Sequence, residues 1–196
     1  MLKIEKILIG THNKGKFKEL SFLLRKKIKK KSPIEFDIKS PKETATTYLG
    51  NSSLKAKYFY KHSGLITISD DSGLSVNCLN GKPGIFSSRW AKKYGSFKTA
   101  MTKIIKMVNK KNKNRKAKFI CSLTIQLNKK KNVSAKGEIF GTISKKILGK
   151  KGFGFDPIFI PKGHKITFGQ MSYKKKILMD HRFIAFKKLK KKVKTL

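Results

Sequence analysis

The sequence predicts an α/β fold, and three observations predict it. Short apolar and β-branched runs at Lys6–Gly10, Leu65–Ser69 and Leu74–Leu79 alternate with segments whose apolar residues recur at helical spacing. Glycine and small polar residues close these runs, as they do where a strand gives way to a helix. The 196 residues show no repeat and no Pro/Gly/Ser-rich linker, so residues 1–196 are expected to form a single domain long enough for a real core.

Each element follows from local pattern. Strand Lys6–Gly10 leads to a helix over Lys16–Lys29, where Phe17, Leu20, Leu24 and Ile28 share one face. Ile34–Ile38 reads as a strand. Asn51–Lys61 reads as a helix with Gly64 just beyond its end as a stop signal. Leu65–Ser69 and Leu74–Leu79 read as two strands, the second closing at an Asn80-Gly81 turn. Phe97–Val108 is a helix and Asn109–Lys116 a polar, charged loop. Phe119–Leu127 and Val133–Ser144 pair as a hairpin across Asn128–Asn132. Phe183, Phe186, Leu189 and Val193 mark a last helix over about Arg182–Lys194.

Composition narrows the class. Hydrophobic residues make up 38% of the chain, and 14 phenylalanines point to aromatic-rich packing. No uncharged apolar run approaches 18 residues, so a membrane span is not expected. Met1–Glu5 shows no secretory apolar region followed by a small-residue cleavage site. Cys78 and Cys121 read as lone thiols, forming neither a disulfide framework nor a zinc site with His12, His62, His164 and His181. The chain is expected to be cytoplasmic, without a membrane partner.

A net charge of +39, from 49 basic and 10 acidic residues, raises nucleic-acid binding as a reading. Only Arg25, Arg89, Arg115 and Arg182 are arginines, whereas base-edge reading favours the arginine fork. The runs Lys26–Lys31, Lys110–Lys118, Lys129–Lys131 and Lys187–Lys194 lack the interleaved aromatics of a stacking surface. The excess reads as a codon-driven background with no specific nucleic-acid partner. A basic, non-specific nucleic-acid-binding protein is the alternative.

Four segments carry possible chemistry. Thr11-His12-Asn13-Lys14-Gly15-Lys16 follows the first strand and opens a helix, whose free N–H groups and partial positive charge suit an anion. It lacks P-loop and dinucleotide-binding spacing, so a capped helix start with solvated lysines stands beside the phosphate reading. Asp70 and Asp71 end the apolar run Leu65–Ser69, where a strand's carboxyl end faces a ligand crevice and two acids can hold a divalent cation. In Gly152-Phe153-Gly154-Phe155-Asp156-Pro157, glycines let the backbone approach a flat ligand and phenylalanines offer rings, or the segment is a turn buried by its own aromatics. Asp180 is a good cap for the last helix, leaving His181 and Arg182 as solvated first-turn residues or as donors into a pocket.

Together, in this order, the segments THNKGKFKEL, ETATTYLGNSSLKAK, ISDDSGLSV, LNGKPGIFSSRWA, KGFGFDPIF and KILMDHRFIAFKKL resemble the inosine triphosphate pyrophosphatase family from about Ile7 to Leu189. The resemblance implies an elongated mixed β-sheet flanked by helices, with two lobes and an active cleft between them. It implies hydrolysis of deoxyinosine, inosine or xanthosine triphosphate to the monophosphate and pyrophosphate, by a homodimer using Mg2+. Asp71 would hold the metal and act as general base, with Asp70 as its companion. Thr11, His12, Asn13, Lys14, Gly15 and Lys16 would cradle the triphosphate, and Ser72 would bond substrate. Phe153, Gly154, Phe155 and Asp156 would line the base site, with Lys176, His181 and Arg182 around the purine. An arginine donor facing position 6 is satisfied by the oxo group of hypoxanthine or xanthine and left unpaired by adenine's amino group.

The chain departs from the family pattern at several positions. Gly50 stands where the resemblance implies a metal-binding glutamate, which leaves Glu43 and Asp70 as candidates for a second ligand. Gly169-Gln170-Met171 replaces Ala-Glu-Leu, and Lys174 and Lys175 replace acidic residues. Asp180-His181-Arg182-Phe183 replaces Ser-His-Arg-Gly.

Overall fold

The computed structural model describes residues 4–111 and 114–196. Met1–Lys3, on which the leader reading partly rests, and Asn112 and Lys113 of the expected polar loop lie outside these. The first strand, β1, is Lys6–Ile9, and helix α1 is Lys14–Leu23. Asn13 caps α1 by accepting from the Lys16 N–H at 3.0 Å. The helix ends six residues short of the expected Lys29, because the chain turns and enters the sheet. The Lys29 N–H donates to Glu5 O at 2.8 Å, and Lys29–Lys31 forms β2, parallel to β1. Leu24 and Ile28 are buried from this turn, so their spacing marked burial correctly but not helix. The expected strand Ile34–Ile38 is instead a 3-10 turn, Pro33–Phe36. Proline suits its first position, and the Ser32 N–H donates to Glu35 Oε1 at 2.8 Å, which closes the turn locally.

Helix α2 spans Tyr48–Ser63, with Thr47 accepting from the Gly50 N–H and Gly64 ending it at φ 68°. Strand β3 is Thr67–Val76, a single ten-residue strand where two shorter ones were expected. Asp70 and Asp71 therefore lie inside a continuous strand rather than at its end, because Ser72-Gly73 continues the extended chain instead of turning it. Helices α3, Ser87–Lys93, and α4, Phe97–Lys110, precede strands β4, Lys116–Gln126, and β5, Asn132–Ile143. These two strands are joined by the expected tight connection, with the Leu127 N–H donating to Lys131 O at 2.9 Å. Strand β6, Phe159–Pro161, runs antiparallel to β5, and α5, Tyr173–Ile177, and α6, His181–Lys192, complete the chain.

The strands form one mixed six-stranded sheet in the order β2-β1-β3-β4-β5-β6, flanked by helices: an α/β fold, as the sequence predicts. The chain divides into two compact units. Unit 1 comprises residues 1–71, 121–137 and 182–196, and unit 2 comprises 72–120 and 138–181. Each has its own core. In unit 1, Ile7, Ile9, Leu20 and Ile68 pack with Leu123, Phe186 and Leu189. In unit 2, Leu74, Ile104, Ile143 and Ile158 pack with Phe119, Phe159 and Phe168. Cys121 is buried on β4 and Cys78 sits in a 3-10 turn after β3, and neither is in a disulfide among the described residues.

Candidate functional site

Unit 1 gathers charge around Asp70 and Asp71. Alternation along β3 sends the two neighbouring side chains to opposite faces of the sheet, so they have different partners. Asp70 is sealed from solvent. Its Oδ2 accepts from Arg182 Nη2 at 2.8 Å and lies 3.1 Å from Lys16 Nζ. Arg182, also fully buried, donates through Nη1 to Glu19. Burial alone would push the Asp70 carboxyl up, but Lys16, Arg182 and Lys55 together hold it well below the usual carboxylate range.

Asp71 is held more loosely. Its Oδ2 accepts from Asn51 Nδ2 at 3.2 Å, and its Oδ1 is 3.5 Å from Lys55 Nζ. Lys55 makes its short contact elsewhere, donating to Glu43 Oε1 at 2.6 Å. Burial pushes the Asp71 carboxyl above its ordinary value, and Glu43 and Asp70 add to the shift against the pull of Lys55 and Lys16. One ammonium shared between Glu43 and Asp71 neutralises neither fully. For Lys55 itself burial works against the charge, yet Asp71, Asp70 and Glu43 raise its pKa.

The turn before α1 belongs to the same unit. Thr11 Oγ1 accepts from the Asn13 N–H at 3.2 Å, and His12 Nδ1 lies 2.7 Å from Ser40 Oγ. Gly10 must be glycine, since a Cβ there would stand 2.2 Å from Ser69 Oγ. Thr11, Gly15 and Lys16 are half-buried, while His12, Asn13 and Lys14 are exposed. The structure thus brings Lys16, Asp70, Asp71 and Arg182 together. Sequence reasoning missed Glu19, Asn51 and Lys55 as members of this cluster. The signal was helical spacing: Glu19 follows Lys16 by three residues on α1, and Lys55 follows Asn51 by four on α2.

Unit 2 holds the aromatic segment. Lys176 Nζ donates to Asp156 Oδ2 at 2.6 Å, both groups buried. The same oxygen accepts from the Phe153 N–H at 2.8 Å. Lys176 Nζ also stands 4.7 Å from the centroid of the Phe153 ring and 5.7 Å from that of Phe168. Gly152, at φ 74°, has no room for a side chain, because a Cβ would meet Asp156 Oδ2 at 2.1 Å. Gly154 lies at φ 64°, and Phe155 is buried with its ring edge-on to Phe97. The His181 ring stacks on Phe119 at 4.8 Å and 13°. Ser72, the first residue of unit 2, is half-buried. Phe153, Asp156 and Lys176 are therefore brought together, and His181 lies buried against Phe119. Arg182 belongs to the acids of unit 1, with both terminal nitrogens on carboxylates.

Among the described residues no three His, Cys, Asp or Glu side chains form a ready-made metal cage. A hard cation that keeps most of its waters needs only one or two carboxylates, and Asp71, whose bond to Asn51 is 3.2 Å and ion pair with Lys55 3.5 Å, fits that requirement. Glu43, which shares Lys55 with it, is the candidate for a second ligand in this set, whereas Asp70 is sealed beneath Lys16 and Arg182.

Comparison with known proteins gives a consistent picture. The model of the Ham1 family matches residues 7–192. A dITP/XTP pyrophosphatase of Caulobacter vibrioides is 40% identical over 186 residues, which cover 94% of this chain and 96% of that protein. One from Rhodospirillum centenum is 37% identical, with 93% and 92% covered. Among solved structures, a HAM1 protein from Coxiella burnetii superimposes with a TM-score of 0.88 at 30% identity, covering 98% of this chain and all of that one. The Staphylococcus aureus Ham1 protein gives 0.85 at 29% identity, covering 96% and 98%.

Proposed function

This chain belongs to the Ham1 family, and on that premise we propose that it hydrolyses non-canonical purine nucleoside triphosphates, those of deoxyinosine, inosine and xanthosine, to the monophosphate and pyrophosphate. The observation that carries the reading is the unequal pair on β3. Asp70 is a sealed acid paired with Lys16 and Arg182, and its neighbour Asp71 is a more loosely held carboxylate, with Asn51 at 3.2 Å and Lys55 at 3.5 Å.

In this reading Asp71 accepts a proton from the water that attacks between the α- and β-phosphates, and its upward shift suits it to that task. Lys16 and Lys55 offset charge on the phosphate oxygens, as do the N–H groups at the start of α1. Thr11 to Lys16 cradle the triphosphate, and Ser72 bonds substrate. Asp71, with Glu43 as second carboxylate, would hold Mg2+, which supplies further charge neutralisation on the phosphates when bound. Arg182 positions Asp70 and Glu19 through two charge-assisted bonds rather than reaching the purine directly. Phe153, Gly154, Phe155 and Asp156, with Lys176 and His181, form the base-recognising set. A purine with a 6-oxo acceptor satisfies the Lys176 ammonium, and adenine's 6-amino donor does not.

The chain works as a single functional domain over 1–196 and in the cytoplasm, as its length and composition suggest, and as a homodimer, as the family resemblance implies. No helix among the described residues is long and apolar enough to cross a membrane. The test is pyrophosphate release from the triphosphates of inosine, xanthosine, guanosine and adenosine with Mg2+. Inosine and xanthosine triphosphates should turn over at least about tenfold faster than adenosine triphosphate, the scale of one mismatched donor. Equal rates on all four would remove the base-selection argument.

A further inference from the structure

We propose that unit 1 carries a docking face for nucleic acid, a polycationic surface that takes the phosphate backbone of a duplex without reading its sequence. In the sequence the lysine runs look dispersed. The fold gathers three of them onto one unit. Arg25 Nη2 donates to Lys194 O at 2.9 Å, which sets the run that begins at Arg25 against the end of the run Lys187–Lys194. Lys192 Nζ donates to Ser134 O at 2.9 Å, which sets the same helix against the start of β5. Ser134 is three residues from Lys131 and five from Lys129, so chain reach alone keeps Lys131 within about 11 Å of that contact and Lys129 within about 18 Å. Residues 25–27, 29, 129–131, 187, 188, 190–192 and 194 are all exposed basic side chains. Lys30 and Lys31 are the exceptions in their run: the Lys30 ammonium turns back onto Arg25 O and Lys26 O, and burial lowers its pKa, while Lys31 pairs with Glu35 at 2.6 Å.

Helix α6 is divided cleanly. Ala185, Phe186 and Leu189 are buried, with Val193 beyond its end, while Lys187, Lys188, Lys190, Lys191 and Lys192 occupy the solvent arc. Like charges one turn apart repel, so the bare face weakens its own helix, and a polyanion relieves that repulsion.

The acids do little to offset this face, and the reason is structural. Of the ten, Glu19, Asp70, Asp71, Asp156 and Asp180 are buried. Glu35, Glu43 and Glu138 sit within 2.6–3.2 Å of Lys31, Lys55 and Lys118. The interior thus withdraws half of the acids against three bases, Lys55, Lys176 and Arg182, and leaves the exterior strongly cationic. Lysine is a point charge that binds phosphate without the arginine fork's geometric selectivity, so the partner is recognised by charge density rather than by base. Duplex backbone, with one charge per about 1.7 Å of axis, fits best. An anionic membrane fits less well, because α6 has already buried its apolar side against the core.

The experiment is a titration of a 30-base-pair DNA duplex at 50 to 200 mM salt, with phosphatidylserine vesicles in parallel and thermal melting as a second readout. Five neutralised phosphates give a slope of log K on log salt of about −4.5, so affinity should fall by about 500-fold over that range. The duplex should also raise the melting temperature at low salt. Replacing Lys187, Lys188, Lys190 and Lys191 with glutamine should reduce the slope by about three to four units while leaving inosine triphosphate turnover unchanged. The same four-charge change at Lys92, Lys103, Lys106 and Lys110 in unit 2 should leave the slope nearly intact. No duplex binding at 50 mM salt would overturn the proposal, as would binding to vesicles alone. Equal losses from the two quadruple variants would overturn it too, since they would show diffuse charge without a defined face.

Discussion

Replacing Gly50 with glutamate probes the metal reading and the packing beneath it at once. Gly50 is the third residue of α2, and its N–H donates to Thr47 Oγ1 at 3.0 Å. Its φ is not in the left-handed region, so the backbone there accepts any residue. Space is the obstacle: a Cβ at this position would stand 2.6 Å from Ala45 Cβ. Carbon atoms in contact settle at about 3.5–4.0 Å, so the Ala45 segment must retreat by about 1 Å. Overpacking of that kind costs about 1–3 kcal/mol. Glutamate recovers about 0.5–1 kcal/mol of helix propensity over glycine and completes a Thr47-x-x-Glu capping box. The single variant should therefore lose about 1 kcal/mol, read as a lower urea midpoint at constant m value. Adding Ala45→Gly removes the crowding and should restore most of the loss. If the new carboxylate joins Asp71 on the cation, the double variant should need less magnesium for half-maximal rate, with purine preference unchanged. A single variant as stable as the parent would refute the crowding argument. An unchanged magnesium requirement in the folded double variant would place the second ligand elsewhere, with Glu43 first in line.

Asp71→Asn should lower kcat by at least about 100-fold at every magnesium concentration, because it removes the base and a charged ligand while preserving shape. Arg182→Met should cost about 3–5 kcal/mol in denaturant unfolding by leaving Glu19 and Asp70 buried without their shared cation. A loss below about 1 kcal/mol would show that the site readily lets in water. The acid limb of kcat/KM should lie above the ordinary aspartate value of about 3.8, since Asp71 must be ionised to work and its pKa is raised. In pH-dependent unfolding the two acids act with opposite sign. The raised Asp71 makes the folded state bind its proton first, so its contribution weakens as pH rises from about 3.8 through the folded value. The depressed Asp70 stabilises above about 3.8 and yields that contribution only as the solution becomes strongly acidic.

Local chemistry wrote much of this protein directly into its sequence. The Gly64 stop and the helix over Phe97–Val108 each depend on neighbours within a few turns, and each appears where the pattern places it. The six family segments likewise announced the α/β fold. Three features were decided only in three dimensions. Lys29–Lys31 became a strand because β1 offered an edge to pair with, which no lysine propensity foretells. Asp70 and Asp71 acquired different acidities because one face of β3 meets Lys16 and Arg182 while the other meets Asn51 and Lys55. Arg182, read as a purine donor, was claimed by Glu19 and Asp70, residues 163 and 112 positions away. A buried guanidinium must be neutralised by whatever carboxylates the fold carries to it, and that pairing depends on the path of the whole chain rather than on any window of it.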